Sequence, residues 1–159
     1  SAIMVFRITY VVFNNHLPES LNLWENNPAR LEISASQSNR TASEIIEVVR
    51  TATDQAPEVP RHLCQLAEAF DQMGVLYGSH DDPDAETREY YRMLGARIAE
   101  FPTSRSAAAT AQAMNDPVIM GAPNVVRGGS QSGNIAATAL IEDGPVAYTH
   151  LTLPTKRLA

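Results

Sequence analysis

Short apolar runs alternate along this chain with longer stretches in which apolar residues recur every three or four positions. FRITYVVF (residues 6–13) is rich in β-branched and aromatic residues and predicts a first strand that ends at the polar NNHLPES. Residues 20–40 are asparagine-rich and show no apolar period, which predicts an excursion or lid rather than core. Thr41 and Glu44 have capping-box spacing ahead of IIEVVRTATDQ, so a helix should start there. In PEVPRHLCQLAEAFDQMG, Leu63, Leu66, Ala67 and Phe70 share one helical face, and Gly74 supplies a stop. VLYGSHDD reads as a short buried strand with a polar tip. Asp82 is then placed to cap a helix with Pro83 at its first position and its end at Gly95. RIAEFP, TSRSAAATAQAM and PVIMGAPN continue as strand, helix and strand; GNIAATALIEDG is a last helix, and GPVAY opens a further apolar run. Five strands alternating with helices predict an α/β fold with a parallel sheet and crossover helices.

Composition narrows the function classes. At 159 residues, with 44% hydrophobic and 19% charged residues, the chain can form one domain with a real core. A net charge of −6 argues against a nucleic-acid or anionic-membrane surface. A single cysteine, Cys64, rules out an internal disulfide framework, and its helical setting predicts a buried structural thiol. No signal peptide and no run of about 18 apolar residues is seen, so a cytoplasmic setting is expected. Lys156 is the only lysine, and it lies in YTHLTLPTKRLA (residues 148–159), a run like adapter sequence translated at the end of a gene fragment. That tail is expected to be non-native and weakly packed, on a chain that is an internal piece of a longer protein.

Polar residues gather at the carboxyl end of each predicted strand, where parallel α/β proteins place their active sites: His16 after the first, His80, Asp81 and Asp82 after the second, Glu100 in the third and Asn124 after the fourth. Histidines at equivalent strand ends can converge on one divalent metal, so His16 and His80 are expected ligands, with zinc the expected ion. Asp81 or Asp82 can support a metal-bound histidine or water, the other capping the Pro83 helix. His62 reads as a surface residue, and His150 falls in the tail. GAPNVVRGGSQSGN (residues 121–134) packs four glycines around Arg127 and predicts either an exposed anion-binding loop or a long surface turn. Arg127, Gly128, Gly129, Ser130, Gln131, Ser132 and Asn134 are its candidate substrate contacts, together with Glu100 and Asn124.

SHDD, IAEFPT and MGAPNVVRGGSQSGN, with their spacing, resemble the phosphonate-metabolism family PhnM of the amidohydrolase superfamily, best from about residue 74 to 144. The resemblance implies part of a metal-dependent (β/α)8 barrel over residues 1–147. The implied parent enzyme removes pyrophosphate from α-D-ribose 1-methylphosphonate 5-triphosphate in the carbon–phosphorus lyase pathway. It also implies that His16 and His80 are metal ligands, and that further ligands lie before Ser1 and after GPVAY, so that the piece alone is inactive. Gln131 stands where the family's loop carries histidine, and Asn15 where an Asp commonly precedes the first histidine. Two alternatives stay open: another amidohydrolase-type hydrolase or deaminase, and a non-catalytic phosphate-binding α/β domain. The expected partner is a small sugar-phosphate or phosphonate, not nucleic acid or membrane; assembly into a homo-oligomer is left open.

Overall fold

The computed structural model describes residues 2–15, 24, 26–130, 133–144 and 148–150. Five parallel strands lie side by side in chain order: β1 (Tyr10–Phe13), β2 (Leu76–His80), β3 (Ala99–Glu100), β4 (Val118–Gly121) and β5 (Tyr148–His150). The register sets Phe13 against Ser79, Ser79 against Ala99, and Ala99 against Val118. Each parallel pair needs a crossover, and every crossover here steps in the same direction across the sheet. The right-handed rule then sends the connecting helices to one face. Those in this part of the chain are α5 (Ala85–Met93), α6 (Arg105–Ala113), the short α7 (Ala122–Arg127) and α8 (Ala137–Glu142).

The covered face is built from alternate strand residues. Ala99, Val118 and Met120 pack with Ala108 and Ala111 of α6 and with Ala137 and Leu140 of α8, all at most 3% exposed. Alanines on α6 let the helix approach the strands closely. On the same face toward β1, Phe13 lies 6.0 Å from Phe70, 5.7 Å from Tyr77 and 6.2 Å from Tyr91, centroid to centroid, an aromatic cluster worth more than its buried area alone. Residues of opposite parity, Gly78, His80 and Glu100 among them, belong to the other face.

The molecule has two compact units, residues 1–14 with 66–159, and residues 15–65. The second holds α2 (Pro28–Gln37) and α3 (Ala42–Asp54), joined around Leu31, Ala35 and Ile45. The capping box is present as read: Glu44 N–H donates to Thr41 Oγ1, and Thr41 N–H donates to Glu44 Oε2 at 2.7 Å. α2 is a correction to the aperiodic excursion. Asn27 caps it and Pro28 starts it, but its buried face consists of two residues, too few to register as a period.

Two other expectations change. The first strand begins at Tyr10, not Phe6: Ala2–Phe6 form a short helix (α1), and Arg7 turns the chain at φ 51°. Local β propensity there is overridden by a turn closed by Ile8 N–H donating to Ile3 C=O at 3.1 Å. Cys64 is exposed, because α4 (Val59–Met73) buries Ala67 and Phe70, and Cys64 lies about a quarter-turn from that stripe. The tail's first residues, Tyr148–His150, pair with Ile119–Gly121 as β5, while 151–159 lie outside the described residues. Gly74 (φ 65°), Gly95 (φ 98°) and Asn115 (φ 57°) end α4, α5 and α6 in the left-handed conformation that reverses a helix into the next strand. Among the described residues no helix is long and apolar enough to cross a membrane.

Candidate functional site

The carboxyl ends of β2 and β3 are built alike. His80 and Glu100 are register partners, and each is followed by a residue in left-handed backbone, Asp81 at φ 59° and Phe101 at φ 54°. Asp81 N–H donates to Glu100 C=O at 3.0 Å, and Phe101 N–H to Ile119 C=O at 2.8 Å. Each turn is thus anchored to the next strand. Positive φ is costly for a bulky residue such as Phe, and such strain collects at functional sites because the surroundings over-determine it. The turns project side chains together. His80 Nδ1 lies 2.7 Å from Glu100 Oε2, Nε2 lies 3.5 Å from Asp81 Oδ2, and the Phe101 ring meets the imidazole edge-on at 5.2 Å. His80 and Glu100, twenty residues apart in the chain, stand at neighbouring strand ends as the strand-end reading expected; their direct contact lies beyond that reading. His16, Gln131 and Ser132 lie outside the described residues.

Asp82 corrects the capping assignment. Asp84 caps α5, its side chain accepting from Thr87 N–H at 2.8 Å, and this hydrogen bonding holds the Asp84 carboxyl below its usual range. Asp82 instead turns into the helix layer at 1% exposure. There it accepts from Ser79 Oγ at 2.5 Å and pairs with Arg88 Nη1 at 3.4 Å. Burial pushes the Asp82 carboxyl up, against the downward pull of Ser79 and Arg88. Arg88 is itself fully buried; it donates to the Ile98 and Ala96 carbonyls and lies 3.6 Å from Asp116, which also meets Arg92 Nε at 3.1 Å as an ion pair without hydrogen-bond alignment. Asp82 therefore braces the turn from behind instead of facing the site.

The glycine-rich stretch also departs from the expected bare loop. Its first half is α7, and Gly128 at φ 72° is the helix stop. Gly128 N–H donates to Val125 C=O at 3.1 Å and Gly129 N–H to Asn124 C=O at 3.0 Å. Those two amides, expected to cradle an anion, are spent on closing the helix. Asn124 is likewise engaged: its Oδ1 accepts from Ala137 N–H at 2.9 Å and its Nδ2 donates to Ile135 C=O at 3.4 Å, tying α7 to the start of α8. What the stretch does provide is one wall of an open cleft of about 390 Å³, where Asn124, Arg127, Gly129, Ser130 and Asn134 face Asp81, Phe101 and Pro102. His80 does not line this cleft; it meets it through Asp81 and Phe101. Arg127 is exposed and makes no ion pair or hydrogen bond among the described residues, so its planar fork is available to an anion.

Sequence reasoning missed Ser79, Arg88, Phe101 and Tyr10. The hydroxyl of Tyr10 is buried without a hydrogen-bond partner among the described residues, and burial raises its pKa, reinforced by the negative charge of Glu100. Ser79 and Phe101 lie within SHDD and IAEFP, and Tyr10 within the first strand run, but none of the four carries a local signal: their importance comes from what crosses to meet them.

No family model and no solved structure matches. Over 70 residues, the chain is 46% identical to the α-D-ribose 1-methylphosphonate 5-triphosphate diphosphatase of Escherichia coli (strain K12). The two are related over that segment. It covers 44% of this chain and 18% of the diphosphatase, so the chain spans less than a fifth of its relative's length.

Proposed function

We propose that this chain is part of a metal-dependent hydrolase that releases pyrophosphate from α-D-ribose 1-methylphosphonate 5-triphosphate, and that its sheet is an arc of a (β/α)8 barrel. The observation that carries the reading is the 46% identity to a diphosphatase of that name. Strand order supports the arc. A doubly wound sheet reverses order at a switch point and carries helices on both faces, whereas β1 to β5 run monotonically and pack helices against one.

The residues present fit part of a metal site. An imidazole beside a carboxylate suits a borderline divalent ion such as zinc, and the Glu100 contact matches the carboxylate–histidine support common behind metal-bound histidines. Among the described residues no group of three candidate ligands converges, so His80 and Asp81 would hold the ion together with groups outside them. When bound, such an ion supplies a Lewis acid and an acidified water. The chain's own residues do the rest. Glu100 selects the tautomer with the proton on Nδ1, leaving the Nε2 lone pair beside Asp81. Arg127, with Ser130 and Asn134 on the same wall, binds the anionic sugar phosphate by charge-assisted hydrogen bonds. Phe101 and Pro102 line the opposite wall and give the substrate an apolar surface to lie against.

A non-catalytic anion-binding domain is the weaker reading, because the Gly128 and Gly129 amides that would serve it are already hydrogen-bonded. The test is pyrophosphate release from the triphosphate by the full-length parent protein, before and after chelation. Chelator-sensitive release is expected, and Arg127→Ala should raise KM at unchanged metal content. A folded, metal-replete parent that releases no pyrophosphate overturns the proposal, and ammonia release from a cyclic amide or nucleobase would point to the deaminase alternative.

A further inference from the structure

Two residues flank the His80–Asp81 pair, Ser79 before it and Asp82 after it, and both turn away from the cleft into the helix layer. One guanidinium meets both. Arg88 Nη1 donates to Ser79 Oγ at 2.5 Å and stands 3.4 Å from Asp82 Oδ2, while Ser79 Oγ donates to the same carboxylate at 2.5 Å. The three side chains close a ring behind the turn. Arg88 also donates to Ile98 C=O at 3.2 Å and to Ala96 C=O, on the segment leading into β3. The strand bearing Glu100 is thus tied to the same cation as the turn bearing His80.

We propose that Arg88 is a positioning residue: from behind the sheet, it holds the Ser79–Asp82 turn in the one conformation that presents His80 to Glu100 and Asp81 to the cleft. Its functional meaning rests on the reading of this end as the hydrolase site; its geometry does not. Two physical arguments favour positioning over simple stability. Asp81 sits at φ 59°, which an L-residue adopts at a cost, so the turn needs restraint from outside itself. And a fully buried cation is a poor route to stability, since apolar residues of similar volume are often as good or better. What a guanidinium offers, and an apolar side chain cannot, is a planar fork that fixes several acceptors at set angles. α5 delivers it reproducibly, because the Asp84 cap sets where the helix starts and hence where Arg88 points.

The test reads His80 itself. Nitrogen NMR of the histidines in this chain, in mildly alkaline solution and assigned with His80→Gln, reports how the neutral ring divides between tautomers. The parent chain should show His80 with its proton held on Nδ1. Arg88→Met should lose that preference while retaining native far-UV dichroism, and Arg88→Lys should recover part of it. Asp116→Asn perturbs the far side of Arg88 without touching Ser79 or Asp82 and should leave the His80 signals in place. If Arg88→Met does not fold, Ser79→Ala, which removes one arm of the ring and no charge, must show the loss instead. Parent-like His80 signals in Arg88→Met or Ser79→Ala, or an equal loss in Asp116→Asn, would overturn the inference. None of these readouts involves pyrophosphate or metal, so failure of the hydrolase reading leaves them intact and separately legible.

Discussion

Gly78→Ala sets two effects of opposite sign against each other. Gly78 lies inside β2 without positive φ, so a methyl group is conformationally allowed. On backbone entropy alone, alanine should stabilise the protein by about 0.4–1 kcal/mol. The surroundings say otherwise. A Cβ would stand 2.5 Å from Ile98 C=O, 2.9 Å from Ile98 Cβ and 2.9 Å from the Tyr10 hydroxyl. The first of these is backbone and cannot swing aside. It is also the acceptor for Ser79 N–H at 2.9 Å and for Arg88 at 3.2 Å, so pushing it away weakens two hydrogen bonds at once. Overpacking costs about 1–3 kcal/mol and a lost hydrogen bond about 1 kcal/mol more. After the entropic gain, a net loss of about 1–3 kcal/mol remains. Urea unfolding followed by dichroism measures it directly: the midpoint should fall by roughly 1 M at unchanged slope. A variant as stable as the parent, or more so, would show that the close approach of β2 to the segment entering β3 does not require glycine, and the steric reasoning fails.

Two further outcomes follow from the geometry. Thr41 holds the Glu44 carboxyl below its ordinary value of 4.5, so the capping contribution is present above that pH and is lost as the pH falls through the lower folded value. The α3 amides should therefore exchange faster in acid, and Glu44→Gln should flatten that dependence; a parent chain with no acid response in α3 refutes the capping box. Cys64 should react with a thiol reagent in native protein at the rate of an unfolded control, within about tenfold, as an exposed thiol does. Protection by several orders of magnitude would restore the buried reading.

Relations spanning three or four residues were legible in the sequence. The Thr41–Glu44 capping box, the stops at Gly74 and Gly95 and the alternation of strands with helices all follow from backbone hydrogen bonding and φ preference within one turn. So did the placement of His80 and Glu100 at strand ends, because parallel strands must all finish at one side of the sheet. Errors arose where two local solutions compete equally. Asp82 and Asp84 both suit a helix cap, and a buried arginine six residues beyond Asp82 decided between them. Gly128 and Gly129 suit an anion cradle or a helix stop, and a short helix ahead of them took both amides. Cys64 and the Ala67–Phe70 stripe differ by a quarter-turn, which only the packing of α4 resolves. The contact of His80 with Glu100 and the Arg88 ring belong to tertiary structure entirely. Their partners are separated along the chain, and it is the strand register and the docking of α5 that bring them within hydrogen-bond reach.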